Sequence, residues 1–275
     1  MKPKLLLTGA NGFIGQNLVR RLENDVELLP LPHKILPDLD KLTAVVRAFD
    51  PTVIVHMAAY GNLASQLDED ETIQANYHNL YNLLKAARGR NYQAFINFSS
   101  SSALLPKHTL YSATKLAGEA LCQAWATKYN RNIISVQPYT VIGVGEPKEH
   151  LIPTLIRSCM KGDKMPFVGA PVHDFISVDD FITALKLIIE DWHMKGTIPI
   201  GTGVKTTNEE ILKIVEKVTG KKANIVRVDK LRNYDNMKWV ADPTIINSLG
   251  WKPKSTIEDT ITQMVLQYEK TKNKR

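Results

Sequence analysis

Cysteine is scarce: Cys122 and Cys159 are the only two in 275 residues. They show neither metal-ligand spacing nor the even, closely spaced set of a disulfide framework, so reduced thiols are the expectation and no metal ion is expected. Long hydrophobic runs are missing too. No apolar stretch approaches the ~20 residues of a membrane-spanning helix, and the "LLL" near the start is too short for a signal-peptide core. These absences predict a cytoplasmic protein without a membrane partner. No basic run is interleaved with aromatics either: the 35 basic and 28 acidic residues leave a net charge of +7 that is scattered apart from the final "KTKNKR". That end is expected to be solvated rather than a nucleic-acid arm, while the modest positive field favours an anionic small ligand. Internal repeats, low-complexity tracts and Pro/Gly/Ser linkers are absent as well.

What is present is 44% apolar and 23% charged residues, ordinary for a soluble globular chain with a sizeable core. Short β-rich runs, "KLLL", "VELLPL", "TVIVHM", "AFINF" and "NIISVQ", alternate with helical patterns. This alternation predicts an α/β fold, a Rossmann-type doubly wound parallel sheet. After about residue 142 glycines and prolines gather around one helical piece, and "DFISVDDFITALKLIIE" is expected to return to the main sheet. The expected organisation is a dinucleotide-binding domain of residues 1–142 and 174–201, with a smaller, discontinuous substrate-binding lobe of 143–173 and 202–275.

"KLLLTGANGFIG" sets Gly9, Gly12 and Gly15 directly after a strand and at the head of an amphipathic helix carrying Ile14, Leu18, Val19 and Leu22. A plain βα turn would need fewer glycines. A pyrophosphate site needs them all, for the tight turn and the close backbone approach to a helix N-terminus with free N–H donors. About 20 residues on, where NAD sites place an acidic residue, the chain has "PLPHKIL". His33 and Lys34 there attract a 2′-phosphate, so NADP(H) is preferred and NAD(H) is possible. Asp38, a little further on, could contact adenine.

"YSATK" puts Tyr111 and Lys115 one helical turn apart, so that a phenol and an ammonium can serve one small volume. An apolar stripe of Ala113, Leu116, Ala117, Ala120, Leu121 and Ala124 lies opposite them. Their own side continues through Gly118, Cys122, Ala126 and Tyr129, which predicts a helix buried almost all round. The ammonium, with an oxidised nicotinamide, would draw the phenol from about 10 toward the working pH, as acid/base chemistry requires. Serines 99 to 102 end a strand where a hydroxyl could polarise a carbonyl or alcohol. Asn76 falls within the apolar stripe Ile73, Leu80, Leu83, Leu84 and Ala87. It is either a satisfied structural amide or a support for the site. His56 is expected to be a packed strand-end histidine.

With those residues in view, the chain resembles the extended short-chain dehydrogenase/reductases, and within them the NAD-dependent epimerase/dehydratase family acting on nucleotide sugars. "TGANGFIG", "VIVHMAAY", "NYHNLYNLLKAA", "FSSSSA", "YSATK", "HDFISVDD", "IPIGTG" and "LGWKP" carry the resemblance, nearly end to end. It implies Tyr111 as the acid/base and Lys115 as ribose ligand and modulator of the phenol. It also implies a serine as substrate-hydroxyl partner, Ser101 first and Ser100 second. Expected cofactor contacts extend through Gly9, Asn11, Gly12, Phe13, Ile14, Gly15, His33, Lys34, Asp38, Leu39, Ala58, Ala59, Asn76, Ser99 and Pro138. Expected substrate contacts are Ser101, Thr140 and Arg232. Gln137, Thr140 and His173 depart from the family's usual arginine, asparagine and arginine. Ser102 and Ala103 stand where 4,6-dehydratases carry an Asp-Glu pair, which argues against dehydration. The leading expectation is NADP-linked reduction of a keto group, C4 first, of a nucleotide-linked deoxysugar. The rivals are an NAD-dependent nucleotide-sugar epimerase and a non-catalytic NAD(P)-binding regulator. A homodimer through the two long helices beginning near residues 70 and 111 completes the expectations.

Overall fold

Leu5, Leu6 and Leu7 in succession leave neither face of a strand polar, and the strand they form is buried on both faces, as a parallel sheet between helical layers demands. In the computed structural model residues 2–105, 109–191, 193–230 and 238–272 are described. The chain divides into two compact units, Met1–Pro138 with Ala184–Ile198 and Tyr139–Thr183 with Pro199–Arg275.

The first unit alternates strand and helix: β1 (Lys4–Thr8), α1 (Phe13–Leu22), β2 (Glu27–Leu31), α2 (Leu39–Phe49), β3 (Val53–His56), α3 (Glu69–Ile73), α4 (Asn79–Ala87), β4 (Ala94–Phe98), α5 (Leu110–Tyr129) and β5 (Ile133–Pro138). A sixth strand, Gly196–Ile200, joins beside β5, giving the sheet order Gly196–Ile200, β5, β4, β3, β1, β2. The pairings of β1 through β5 are parallel, and Thr8 stands in register with His56, which stands in register with Asn97. The fold is therefore the Rossmann-like α/β sheet expected from the strand and helix alternation. From β1 the chain winds outward to β2, then returns to the other side of β1 with β3. That reversal opens a crevice at the carboxyl ends of β1 and β3, the usual ligand position in such sheets.

One apolar core fills the space between sheet and helices, running through Leu6, Ile54, Leu80, Leu84, Phe95 and Trp125. The segment between α3 and α4, Gln74–His78, is a π-turn within one continuous helical path. The extra residue shifts the register, so Ile73, placed by periodicity on the apolar stripe, is 37% exposed while Asn76 is 3% exposed.

Helix α5 differs from the sequence expectation. Its buried residues are Ser112, Thr114, Lys115, Gly118, Cys122 and Trp125. Leu116 is 41% exposed, and Ala117, Ala120 and Ala124 are exposed as well, so the helix is not buried all round. The reason is side-chain size. Gly118 lets α5 approach α4 so closely that a Cβ there would stand 3.1 Å from the Leu80 side chain, and the Ala/Leu stripe is left outward.

The second unit has its own core, including Ile142, Leu155, Phe167, Phe175, Ile211 and Ile261. Its buried Asp174 carboxylate accepts from Thr202 N, Thr202 Oγ1, Gly203 N and Ala241 N at 2.6–3.2 Å, fastening three chain segments at one point. Among the described residues no helix is long and apolar enough to cross a membrane.

Candidate functional site

The glycine turn follows β1 directly. Gly9 has φ +75°, a left-handed conformation that disfavours a side chain, and a Cβ there would stand 2.8 Å from the backbone of Met57 and Ala58. Gly15, inside the first turn of α1, packs so tightly on Gly9 and Ala10 that a Cβ would collide with the Gly9 carbonyl. Gly12 caps α1 without a side-chain hydrogen bond, and no acidic residue lies in the first turn. The first-turn N–H groups therefore keep their donors and their partial positive charge for an outside anion. Asn11 and Gly12 are exposed, with Phe13 and Ile14 half-buried beside them.

Two polar clamps hold the other walls of the crevice. Thr8 Oγ1 accepts from Ala58 N at 3.1 Å and pairs with His56 Nδ1 at 2.9 Å, fixing the chain as it leaves β3. Burial, aided by the nearby Lys115 ammonium, pushes the His56 imidazole down to about 3, so it stays neutral. Asn76 is fully engaged. Its Oδ1 accepts from Tyr60 N at 3.0 Å, and its Nδ2 donates to Tyr60 O at 2.8 Å and to Thr114 Oγ1 at 3.0 Å. Thr114 Oγ1 donates in turn to Tyr111 O at 2.8 Å. The amide thus ties the loop after β3 to the turn of α5 that carries Tyr111.

Tyr111 sits in the first turn of α5, which Thr109 caps by accepting from Ser112 N. The Lys115 ammonium lies 5.9 Å from the Tyr111 ring centroid. Burial holds the phenol up at about 12, against the opposing pull of a hydrogen bond with Ser100. The expected drop toward the working pH is thus not a property of the protein alone; desolvation outweighs the Ser100 hydrogen bond. Lys115 is 5% exposed, and burial draws its ammonium down to about 8. Among the described residues no hydrogen bond or ion pair reaches its Nζ, while Cys122 and Glu119 on its own helix act electrostatically to hold the ammonium up.

Of the two serines expected to meet the substrate hydroxyl, Ser100 is the one that reaches the phenol. Ser100 Oγ accepts from Ser102 N at 3.1 Å and from Ser102 Oγ at 2.9 Å. With both lone pairs taken, its own proton is left for the Tyr111 oxygen. The half-buried Ser101 begins the following short 3₁₀ turn, Ser101–Leu104. Ser99 ends β4 with its N–H bonded to Val136 O at 2.8 Å, and its buried hydroxyl has no partner.

The remaining expected residues fall into two groups. His33 and Lys34 are exposed in the turn directly after β2, at the carboxyl edge of the sheet, and Ala58 and Ala59 follow β3. Asp38 caps α2, accepting from Lys41 N at 3.1 Å and pairing with Lys41 Nζ at 2.8 Å, with Leu39 next to it. Pro138 closes β5 in the first unit. Thr140 belongs to the second unit, where its N–H donates to Asp174 O at 3.0 Å. Arg232 lies outside the described residues.

The sequence did not single out Thr8 or Thr114. Glu119 is a further such residue: its Oε1 accepts from Gln137 Nε2 at 2.8 Å. Its one available signal was a position one turn beyond Lys115.

The residues present fit a nicotinamide dinucleotide on three observations: a tight glycine turn that leads into first-turn N–H groups with no side-chain cap, a Ser99 hydroxyl without a hydrogen-bond partner among the described residues, and a buried ammonium that no hydrogen bond engages there.

Comparison with known proteins agrees. A family model described as the NAD dependent epimerase/dehydratase family matches residues 5–201. The chain is 22% identical to a GDP-6-deoxy-D-mannose reductase of Pseudomonas aeruginosa, with 98% of each chain covered. Its fold is similar to that of UDP-glucose 4-epimerase from Thermotoga maritima solved with UDP-glucose, with TM-score 0.87, 22% identity and 98% and 99% of the two chains covered. It is also similar to RMD from Pseudomonas aeruginosa complexed with NADPH, with TM-score 0.84, 21% identity and coverage of 98% and 100%.

Proposed function

From the premise that the chain belongs to the NAD dependent epimerase/dehydratase family, we propose that this enzyme modifies a nucleotide-linked sugar, and that its reaction is the NADP-linked reduction of a keto group, C4 first. Gly9, Gly12 and Gly15 with the N-terminus of α1 would hold the pyrophosphate, and Lys115 the nicotinamide-side ribose. His33 and Lys34 would meet a 2′-phosphate. The dinucleotide, when bound, supplies the hydride.

The protein's own part is to hold and deliver the proton. A phenol raised to about 12 is protonated at neutral pH, as the acid in a reduction must be at the start. An enzyme that begins by oxidising an alcohol needs the phenolate instead. Ser100, donating to the Tyr111 oxygen, leaves the phenolic proton free to point away toward a substrate oxygen, and it stabilises the phenolate once that proton has gone. The constellation of Ser100, held by Ser102, with Tyr111 and the buried Lys115 one turn beyond it is the observation that carries the proposal. A GDP-sugar reductase among the relatives supports the substrate class and the reaction direction.

The partner proposed besides the substrate is a second copy of the chain. The outward Ala/Leu stripe of α5 continues into a groove of about 300 Å³ lined by Tyr81, Lys85, Arg88, Trp125, Lys128 and Tyr129. The opposite end of the same helical path begins with Asp68, Glu69, Asp70 and Glu71. Two copies of this path laid antiparallel would set acidic end against basic end.

The test is a panel of nucleotide-linked 4-keto sugars with NADPH absorbance followed over time. Consumption of one NADPH per sugar reduced is expected for at least one member. Redox-neutral interconversion of two sugars with tightly retained NAD would contradict it and identify an epimerase.

A further inference from the structure

The chemistry above leaves one carboxylate beside the site unused. Glu119 lies four residues, and so one helical turn, beyond Lys115 on α5. Its Oε1 accepts from Gln137 Nε2 at 2.8 Å and its Oε2 from Thr197 Oγ1 at 3.5 Å. Gln137 is 5% exposed at the end of β5, so the longer-reaching of these contacts is anchored in the sheet. Both donors are neutral. They orient the carboxylate without cancelling its charge, as an arginine or lysine would.

The titratable groups that face Lys115 are His56 from β3, and Tyr111, Glu119 and Cys122 from its own helix. His56 is kept neutral at about 3, and burial pushes both the Tyr111 phenol and the Cys122 thiol up to about 12. That leaves Glu119 as the carboxylate among the four, one helical turn from Lys115.

We propose that Glu119 is a positioning residue for the cofactor site: its carboxylate, oriented by Gln137, is the counter-charge that keeps the buried Lys115 side chain an ammonium at working pH. Burial draws that ammonium toward loss of its proton; a Cys122 thiolate and the Glu119 carboxylate act in the opposite direction, and with the thiol pushed up to about 12 it is the carboxylate that is left to do so at working pH. A neutral Lys115 would lose its grip on ribose hydroxyls and its influence on the phenol.

The direct test is the NMR titration of Lys115 in the full, cofactor-free chain, its signal identified by its loss in Lys115→Met. Glu119→Gln keeps the shape and the Gln137 contact and removes only the charge. It should lower the titration midpoint by about one pH unit. Gln137→Arg, which neutralises the same carboxylate from the other side, should shift it in the same direction. Midpoints unchanged in both variants would overturn the inference, because a purely structural role for Glu119 predicts no shift. A second arm rests on the function proposed above. The pH at which NADPH affinity falls away should move down by the same interval in Glu119→Gln, and an unmoved profile would overturn the inference. A parent protein that binds neither NADPH nor NADH would sink the function, while the titration would still decide the role of Glu119.

Discussion

His56 shows most plainly how one residue in this site carries a cost that can be measured. It sits at the end of β3 with its ring enclosed, its Nδ1 against Thr8 and an ammonium nearby, and its imidazole is held down to about 3 from an ordinary 6.5. Between those values the unfolded chain binds a proton that the folded chain refuses. Stability is therefore full above pH 6.5 and falls as pH drops toward 3, by at most about 1.4 kcal/mol per pH unit from this group. Urea unfolding between pH 7 and 4.5 should show this slope, and His56→Gln should flatten it relative to the parent. Parallel curves would mean that the imidazole accepts its proton without cost. That His56 would be packed at a strand end was legible from "VIVHM". Its hydroxyl partner was not, because Thr8 comes from a strand 48 residues earlier and only the parallel register sets the two side by side. The serines show the same limit. Counting from Phe98 gave Ser101 as the substrate partner, but could not show that Ser100 caps the 3₁₀ segment that follows and bonds the phenol.

At the scale of elements, helix α5 and the π-turn explain where periodicity succeeded and where it misled. The Tyr111 and Lys115 positions share one face, as 3.6-residue spacing requires, but hydropathy predicted burial almost all round, whereas the Ala/Leu stripe is exposed. Small residues decided the matter. Gly118 and Cys122 allow close packing on α4, and a buried lysine is tolerated there beside a site for an anionic ligand. The π-turn could not be read from periodicity at all, since one extra residue breaks the phase on which such patterns depend. Asn76 nevertheless proved to be a satisfied amide that also braces the site, uniting both alternatives left open by the sequence. The exposed stripe of α5 leads to the element-scale prediction. Leu116→Glu places a charge at the centre of the proposed self-association face, and sedimentation at micromolar concentration should show a dimer for the parent and a monomer for the variant. A monomeric parent would contradict the pairing.

The whole molecule was legible in outline because a parallel sheet advertises itself. Continuous apolar runs form β1, β3 and β4, glycines follow β1, and helices separate the strands. What the sequence withheld were the contacts that depend on three dimensions: Thr8 with His56, Asn76 with Thr114, and Gln137 with Glu119. They lie around the Tyr111 phenol and the buried Lys115 ammonium, the pair proposed above to act with the glycine turn. The most direct measurement is NADPH oxidation by Tyr111→Phe with the keto sugar that the parent reduces, alongside NADPH affinity. The phenyl ring keeps the packing and loses the proton, so turnover should fall by about 10²–10⁴-fold with affinity within a few-fold of the parent. Turnover equal to the parent's would show that the proton comes from elsewhere.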